Sequence, residues 1–461
     1  MSVPESILQI LTPLFDASLS QATAARDDAQ LALCVAYSGG LDSTVLLKLA
    51  ADYASRRSGV AVRALHVNHR ISADSDQWQQ HCEVVCQELE VAYEAFGVDV
   101  SRTGELGLEA AAREARYAVF EQSLRPGELL LLAQHQDDQL ETVMLQLMRG
   151  SGVKGLAAMP ALASFGAGHL CRPLLMADRE TIEVAGRESG LSWIDDPSNF
   201  DTSLDRNFLR HSVLPALKER WPSAAKTTAR SARMCAESDA LNQVLALQDA
   251  EGVHKDNALQ IAGLSRLEPA RQRNLIRWLL AECDLPMPPE TRLAEITGSL
   301  MQAADDASPE VRWPGAVVQR FRDALFVFAD TRLAPPVVPE GCLQPGGSMD
   351  LGVAGTIELR PAEQGLRLKA DTEVQVRFRS GGERIRPAGG ANSRSLKNLF
   401  QEQGVPPWMR DRIPMLYCRN ELIAVGDLWL ADEWCETAAG AGSGEFYAVF
   451  WTGHLPVTYP A

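Results

Sequence analysis

The sequence predicts an α/β protein with a parallel-sheet domain at the N-terminus, a mainly helical domain next and a small α+β domain at the C-terminus. Three observations predict it. Short apolar runs alternate with helix-length stretches through residues 31–149, the pattern of a parallel sheet covered on both faces. The β signal then fades between about Trp221 and Gln302, and short strands return from Leu351 onward. Leu333 to Met349 holds four prolines and three glycines, the composition of a linker. The expected parts are therefore 1–220, 221–332 and 350–461, with the linker at 333–349.

In chain order, residues 5–17 have the spacing of an amphipathic helix. Leu31–Ala36 is an apolar run short enough to be a buried parallel strand, and Thr44–Ala50 continues as a helix beyond a glycine turn. Val60–Val67 reads as a second strand, 74–91 as a helix and Val91–Val98 as a shorter strand. Gly107–Leu124 is helical, with Leu108, Ala111, Ala115 and Val119 on one face. Leu129–Ala133 is a buried strand and Asp137–Arg149 a helix. Farther on, Ala224–Ala250, Pro269–Cys283 and Glu290–Met301 read as helices, and Val311–Phe328 as two short strands. The last part expects strands at Glu373–Arg379, Met415–Tyr417, Leu422–Val425 and Phe446–Trp451 around a helix near Ser395–Gln403.

Composition sets the class. The 461 residues are 46% hydrophobic and 23% charged, ordinary for a soluble globular protein, and no apolar run has the length of a membrane span. The first residues, Met1-Ser2-Val3-Pro4-Glu5, lack the basic and apolar regions of a signal peptide. Nine cysteines with no Cys-x-x-Cys suggest no disulfide framework, so a reducing cytoplasm is the expected location. The net charge of −16 argues against indiscriminate nucleic-acid binding. Two stretches depart from that average. Arg206–Arg233 carries seven Lys/Arg against one acid, and Arg377–Arg412 eight against three. An acidic body with local basic patches suits one shaped polyanion, although solvated faces would look the same.

The stretch with the most chemistry is Ser38-Gly39-Gly40-Leu41-Asp42-Ser43 between the first strand and its helix. Strand, glycine turn and helix bring backbone N–H groups together on an anion. Gly39 and Gly40 tolerate positive φ, and Ser38, Ser43 and Thr44 offer hydroxyls. Asp42 would repel phosphate unless a cation lay between, which reads as a metal or leaving-group position. A plain capped turn is the alternative. No Gly-x-x-x-x-Gly-Lys-Ser/Thr occurs.

Gln134-His135-Gln136-Asp137-Asp138-Gln139-Leu140-Glu141-Thr142 follows the fourth strand. Asp137, Asp138 and Glu141 project from the start of a helix. They either complement its dipole or hold Mg²⁺ or an ammonium group. Ser38–Ser43, His66–His69 and Gln134–Asp138 all stand at carboxyl ends of strands, where ligands bind in such sheets. One crevice is expected.

Other patterns are weaker. Gly150-Ser151-Gly152-Val153-Lys154-Gly155 is a literal Gly-x-Gly-x-x-Gly, but it follows a helix where a dinucleotide fold needs a strand. Glu109, Arg113, Arg116 and Tyr117 share a helix side, for which surface pairing suffices. His66, His69, His81, Cys82 and Cys86 fit no zinc spacing.

In combination these segments resemble the tRNA(Ile)-lysidine synthetases of the PP-loop ATP pyrophosphatase superfamily. The loop matches SGGxDS. His66-Val67-Asn68-His69, Trp78, His81-Cys82, Arg113-Glu114-Ala115-Arg116-Tyr117 and His135–Thr142 follow in the family's order. So do Arg149-Gly150-Ser151-Gly152, Asp196-Pro197-Ser198-Asn199 and Arg206-Asn207. Gly381-Gly382-Glu383-Arg384, Leu396–Glu402 and Pro407-Trp408-Met409-Arg410 extend the resemblance to the C-terminal part. Two departures are Gln134-His135-Gln136 for Ala-His-His and Arg70 for glycine.

The resemblance implies an adenine nucleotide alpha hydrolase-like fold and an ATP- and Mg²⁺-dependent ligase. It would adenylate the C2 oxygen of the wobble cytidine in CAU-anticodon isoleucine tRNA and join free L-lysine to C2, releasing AMP. ATP would sit on Ser38, Gly39, Gly40, Leu41, Asp42 and Ser43, with Mg²⁺ near Asp42. Asp42, Arg113, Arg116, Asp137, Asp138 and Glu141 would be catalytic, and Asp138, Glu141, Arg206 and Asn207 candidates for lysine or AMP. Arg377, Arg379, Arg384, Arg386, Lys397 and Arg410 are the expected tRNA contacts. No membrane partner is expected, and a homodimer is left open. The rival readings are a PP-loop tRNA thiolase or other ATP-dependent tRNA modification, an ATP-gated tRNA-binding module, and an amidotransferase of the same fold.

Overall fold

The computed structural model describes residues 8–23, 30–70, 72, 74–99, 108–255, 257–303, 309–337, 340–437 and 445–455. The expected helix starts at residue 5 and Gly107 lie outside them. Two compact units are present, Met1–Leu241 and Asn242–Ala461.

The first unit opens with α1 (Leu8–Thr23), which continues past Pro13. Its framework is β1 (Leu31–Ala36), α2 (Leu41–Ser55), β2 (Val60–Asn68), α3 (Ser75–Glu88), β3 (Ala92–Gly97), α4 (Leu108–Ser123), β4 (Leu129–Leu131) and α5 (Gln136–Met148). The short α6 (Val153–Leu156) follows, then β5 (Leu162–Phe165), β6 (Gly168–Cys171) and α7 (Arg179–Glu188). The six strands are ordered β3-β2-β1-β4-β6-β5. Five run parallel and β5 pairs antiparallel at one edge. The order reverses between β1 and β4, so a crevice opens beyond their carboxyl ends. Leu33, Val35, Leu129 and Leu131 in the strands pack with Val45, Leu46, Leu49 and Ile182 from the helices. Each fully buried side chain of this size contributes about 1.5–3 kcal/mol by leaving water.

At the amino end of the same sheet, Arg63 donates to both carboxylate oxygens of buried Glu128 at 2.7 and 2.6 Å. It also donates to Glu94 at 3.0 Å and to the Ser123 carbonyl at 2.9 Å. Burial disfavours the Glu128 carboxylate, but Arg63 and the Arg125 amide outweigh it and hold its pKa below the usual value. Every charge there has a partner.

The helix of 205–220 is continuous but changes pitch. Asp205–Phe208 (α8) and Leu214–Arg220 (α9) flank a π-helical turn, Leu209–Val213. Pro215 has no amide hydrogen and its ring crowds the carbonyl four residues back, which the wider turn relieves.

The long helix α10 (Ala224–Ala250) leads to the second unit. Here the reading of a mainly helical region is incomplete. Beside α11 (Ile261–Leu264), α12 (Pro269–Glu282) and α13 (Glu290–Glu295) lies a five-stranded antiparallel sheet. It contains His254–Lys255, Ala258–Gln260, Glu310–Trp313, Ala316–Phe321 and Ala324–Ala329. The first two strands are too short to show periodicity. The remaining chain forms a five-stranded, a four-stranded and a two-stranded antiparallel sheet around Leu396–Glu402. One core includes Phe326 and Phe328, Leu343 from the expected linker, and Val376, Phe400 and Trp451. The linker is also tied down by Leu343–Val374 backbone bonds and by Arg412, which donates to the carbonyls of Leu333 and Ala334. Pro345 and Gly346 form a turn there, closed by the Gly347 amide on the Gln344 carbonyl at 2.9 Å.

Candidate active site at the carboxyl end of the parallel sheet

All three expected segments line one cavity of about 520 Å³. The loop supplies Ser38, Gly40, Leu41, Asp42 and Ser43; β2 supplies His66, Asn68 and His69; the turn after β4 supplies Gln134 and Asp138. Gly39 has φ +84, and a Cβ there would lie 2.7 Å from Cys82 Sγ and 2.9 Å from Ile194 Cδ1. Only glycine fits. Gly40 stands at the N-cap of α2 with no side chain capping the first turn, which leaves those amides open to an anion. The Ser38 and Ser43 hydroxyls are 3.0 Å apart, and Ser43 and Thr44 donate to the Gly40 carbonyl at 2.9 Å. Cys82 and Cys86 are buried, and burial pushes both thiols up to about 12. They are packing residues beneath the loop.

His135 caps α5. Its Nδ1 accepts from the Asp137 amide at 3.2 Å, and Asp138 Oδ2 accepts from the His135 amide at 3.0 Å. An N–H aimed at Nδ1 places the ring proton on Nε2, which faces Asp42 at 3.7 Å and Asp138 at 3.5 Å. Asp42 Oδ1 is buried without a hydrogen-bond partner. An orphaned carboxylate oxygen on a phosphate-sized cavity fits one ligand of Mg²⁺, which otherwise keeps water and substrate phosphates. Among the described residues no three His, Cys, Asp or Glu form a metal cage.

The acids of α5 are already occupied. Asp138 Oδ1 accepts from Arg206 at 2.8 Å and Arg210 at 3.2 Å, and Glu141 accepts from the Nε of each at 2.6 Å. Lys218 donates to Asp137. Glu141 is fully buried. Burial opposes ionisation of Asp138, but His135 and the two arginines outweigh it, so its pKa lies below the carboxylate norm. Arg210 and Lys218 were not among the expected site residues. Asn207 donates to the Asp201 carbonyl at 3.0 Å, and neither it nor Arg206 lines the cavity, whereas Arg210 does.

Of the α4 arginines, Arg116 lines the cavity. Arg113 lies outside, donating to the Tyr117 hydroxyl at 3.2 Å with its guanidinium 4.7 Å from the ring centre. His66 Nδ1 meets the Tyr37 carbonyl at 2.9 Å. Burial, then Arg116 and His66, lower the pKa of His69 to about 4, and its Nδ1 has no partner. Arg70 sits at φ +53 on the cavity rim, in the left-handed region where the family pattern has glycine. Asp196, from the Asp196–Asn199 motif, also faces the cavity, as do Arg179 and Asp195, which were not among the expected site residues.

In the second unit, Arg377 stacks on Tyr417 and donates to Asn420 at 2.7 Å. Arg379 pairs with Asp411 at 3.3 Å, and Arg386 with Asp432 at 3.0 Å. Arg384 donates to the Ser393 carbonyl at 2.7 Å and Arg410 to that of Val405 at 3.0 Å. Lys397 is exposed, and among the described residues nothing pairs with it. Of these six side chains, five are committed to partners among the described residues.

Comparison with known proteins follows this division. Residues 11–217 match a family described as PP-loop domain. Residues 259–326 match the TilS substrate binding domain, and 374–445 the TilS substrate C-terminal domain. Three curated relatives carry the name tRNA(Ile)-lysidine synthase. That of Methylococcus capsulatus is 41% identical over 431 residues, 91% of this chain and 95% of its own. That of Escherichia coli O157:H7 is 41% identical over 87% and 93%, and that of Coxiella burnetii 36% over 92% and 91%. Among solved structures, a U34-tRNA thiolase from Methanococcus maripaludis gives a TM-score of 0.42 at 16% identity, covering 50% of this chain and 80% of that one. That likeness is too slight to argue from.

Proposed function

The chain belongs to the tRNA(Ile)-lysidine synthases, and from that premise we propose that its cavity joins free L-lysine to C2 of a wobble cytidine at the expense of ATP. The tRNA is the CAU-anticodon isoleucine tRNA, whose decoding changes from AUG to AUA. One observation carries the reading: an uncapped phosphate loop, the orphaned Asp42 oxygen and Asp138, with His135 against both acids, meet at one cavity.

Cytosine C2 is a poor electrophile because its oxygen is a poor leaving group. That oxygen attacks the α-phosphorus of ATP, pyrophosphate departs, and AMP remains on the oxygen. The lysine ε-amine then adds to C2, loses a proton, and AMP leaves carrying the oxygen. The loop amides with Ser38 and Ser43 hold the departing pyrophosphate. Asp42 is the candidate ligand for Mg²⁺, which when bound offsets phosphate charge. Arg116 faces the developing charge from the cavity wall, with Arg113 behind it on Tyr117.

Asp138 is held ionised by His135, Arg206 and Arg210, which suits it to anchor the lysine ammonium. Asp137 and Glu141, which stand behind the cavity lining and pair with Lys218 and with Arg206 and Arg210, are the remaining candidates to take the proton lost at attack. Arg206 and Asn207 are candidates for the lysine carboxylate or AMP. In the second unit, Arg377, Arg379, Arg384, Arg386, Lys397 and Arg410 are assigned to tRNA stems, so that identity is read away from the target base. The cytidine is splayed into the cavity.

The test is incorporation of radiolabelled lysine into CAU-anticodon isoleucine tRNA with ATP and Mg²⁺. Label with the wild type and none with Asp42→Asn supports the reading. tRNA-dependent pyrophosphate release without lysine label overturns it in favour of another nucleophile, such as sulfur.

A further inference from the structure

Arg172 follows β6 at the carboxyl end of the sheet, beside the turn after β4, and is 7% exposed. Its Nε donates to Gln134 Oε1 at 2.8 Å and its Nη1 to the Pro160 carbonyl at 2.7 Å. The Tyr117 hydroxyl is its third partner. All three are neutral, and among the described residues no carboxylate pairs with it. A guanidinium taken out of water with no counter-charge is unfavourable, unlike Arg63 in the same sheet, which has Glu128.

Two of those partners, Gln134 and Tyr117, line the cavity, whereas Arg172 lies behind them. Arginine can only donate, so Gln134 must turn its Oε1 to Arg172. That leaves the amide NH₂, which has no hydrogen-bond partner among the described residues, for the cavity side. The same logic applies to Tyr117. Its oxygen receives N–H groups from Arg113 and Arg172, so its own proton is turned away from both. One buried cation thus orients two neutral donors at the wall of an anion site and leaves the field there positive.

We propose that Arg172 is a positioning residue for nucleotide binding, acting through Gln134 and Tyr117, with the absence of a carboxylate partner being the functional feature. This rests on the cavity being the ATP site. The nucleotide triphosphate supplies the counter-charge that no carboxylate among the described residues provides.

Gln134→Glu tests this in the full chain. A carboxylate at 134 would pair with Arg172, so the melting temperature should stay level or rise. Affinity for ATP, read by calorimetry without tRNA, should fall about tenfold, and the KM for ATP in lysidine formation should rise more than kcat falls. Gln134→Leu should lower affinity less, because it removes one donor and leaves the charge. A Gln134→Glu protein that melts normally and binds ATP like the wild type overturns the proposal. So does a Gln134→Leu protein with the larger loss. A wild type that binds ATP but makes no lysidine would refute the lysidine reading, while the calorimetric comparison still decides the role of Arg172.

Discussion

The two ends of the parallel sheet hold charge differently. At the amino end, Arg63, Glu128, Glu94 and Arg125 saturate one another. At the carboxyl end, Asp42 Oδ1 and His69 Nδ1 lack partners, and Arg172 lacks a counter-ion. Burying an unsatisfied polar group costs free energy, and a ligand in the cavity would offset that cost for Asp42 and His69. Saturated charges hold the sheet together; unsaturated ones are poised for substrate. Between these extremes stands the cluster of Asp137, Asp138 and Glu141 with Lys218, Arg206 and Arg210. It lies at the functional end but is internally neutral.

The comparison breaks if substitutions at the two ends have the same effect. The largest predicted loss is in Asp42→Asn. Lysidine formation should drop by about 10²-fold or more, while the melting temperature holds, because Asp42 is about a third exposed, His135 stands 3.7 Å away and Oδ1 has no hydrogen bond to lose. Glu128→Gln should do the reverse. Unfolding in urea should show a loss of about 2–3 kcal/mol, since Arg63 keeps only the partly exposed Glu94 as a charged partner, and turnover per folded molecule should be preserved. Glu141→Gln sharpens the intermediate case. It should lose both stability, about 2–3 kcal/mol because Arg206 and Arg210 are about a quarter exposed, and activity. The smallest effect is in pH dependence. His69 has its pKa lowered from 6.5 to about 4, so on acidification the unfolded chain takes up the proton first. Stability should therefore decline from about pH 6.5 to about pH 4 and level off below. His69→Gln should flatten that part of the profile, and an unchanged slope would remove His69 from the account.

The sequence carried the local part of this. The loop, the alternation of strands and helices and the acids of α5 are patterns over a few residues; the structure brings the loop and Asp138 to the cavity, while Asp137 and Glu141 pair with Lys218, Arg206 and Arg210 and are not part of its lining. Charge balance was harder to read. Arg206–Arg233 looks basic along the chain, but Arg206 and Arg210 meet acids 65 to 72 residues away and Lys218 one 81 away. A patch that suggested nucleic acid is partly the lining of the active site. Arg172 gave no signal because its meaning lies in a missing partner. The β5–β6 hairpin was too short for periodicity to appear, and the five-stranded sheet of the second unit begins with strands of two and three residues. Arg70 is the converse case, where a departure from the family pattern coincides with a left-handed backbone.

The π-turn at Leu209–Val213 gives the 205–220 helix one residue of rotational phase. Arg206 and Arg210 address one side of α5 and Lys218 another, and the wide turn sets the angle between them. Each residue of an α-helix turns the chain by about 100°. Deleting one residue from that turn would swing Lys218 away from Asp137 while leaving Arg206 in place, although no side chain at the site had changed. A melting curve of such a deletion, compared with Lys218→Met, would read the phase directly. Segment length there is as much a part of the active site as its acids and bases.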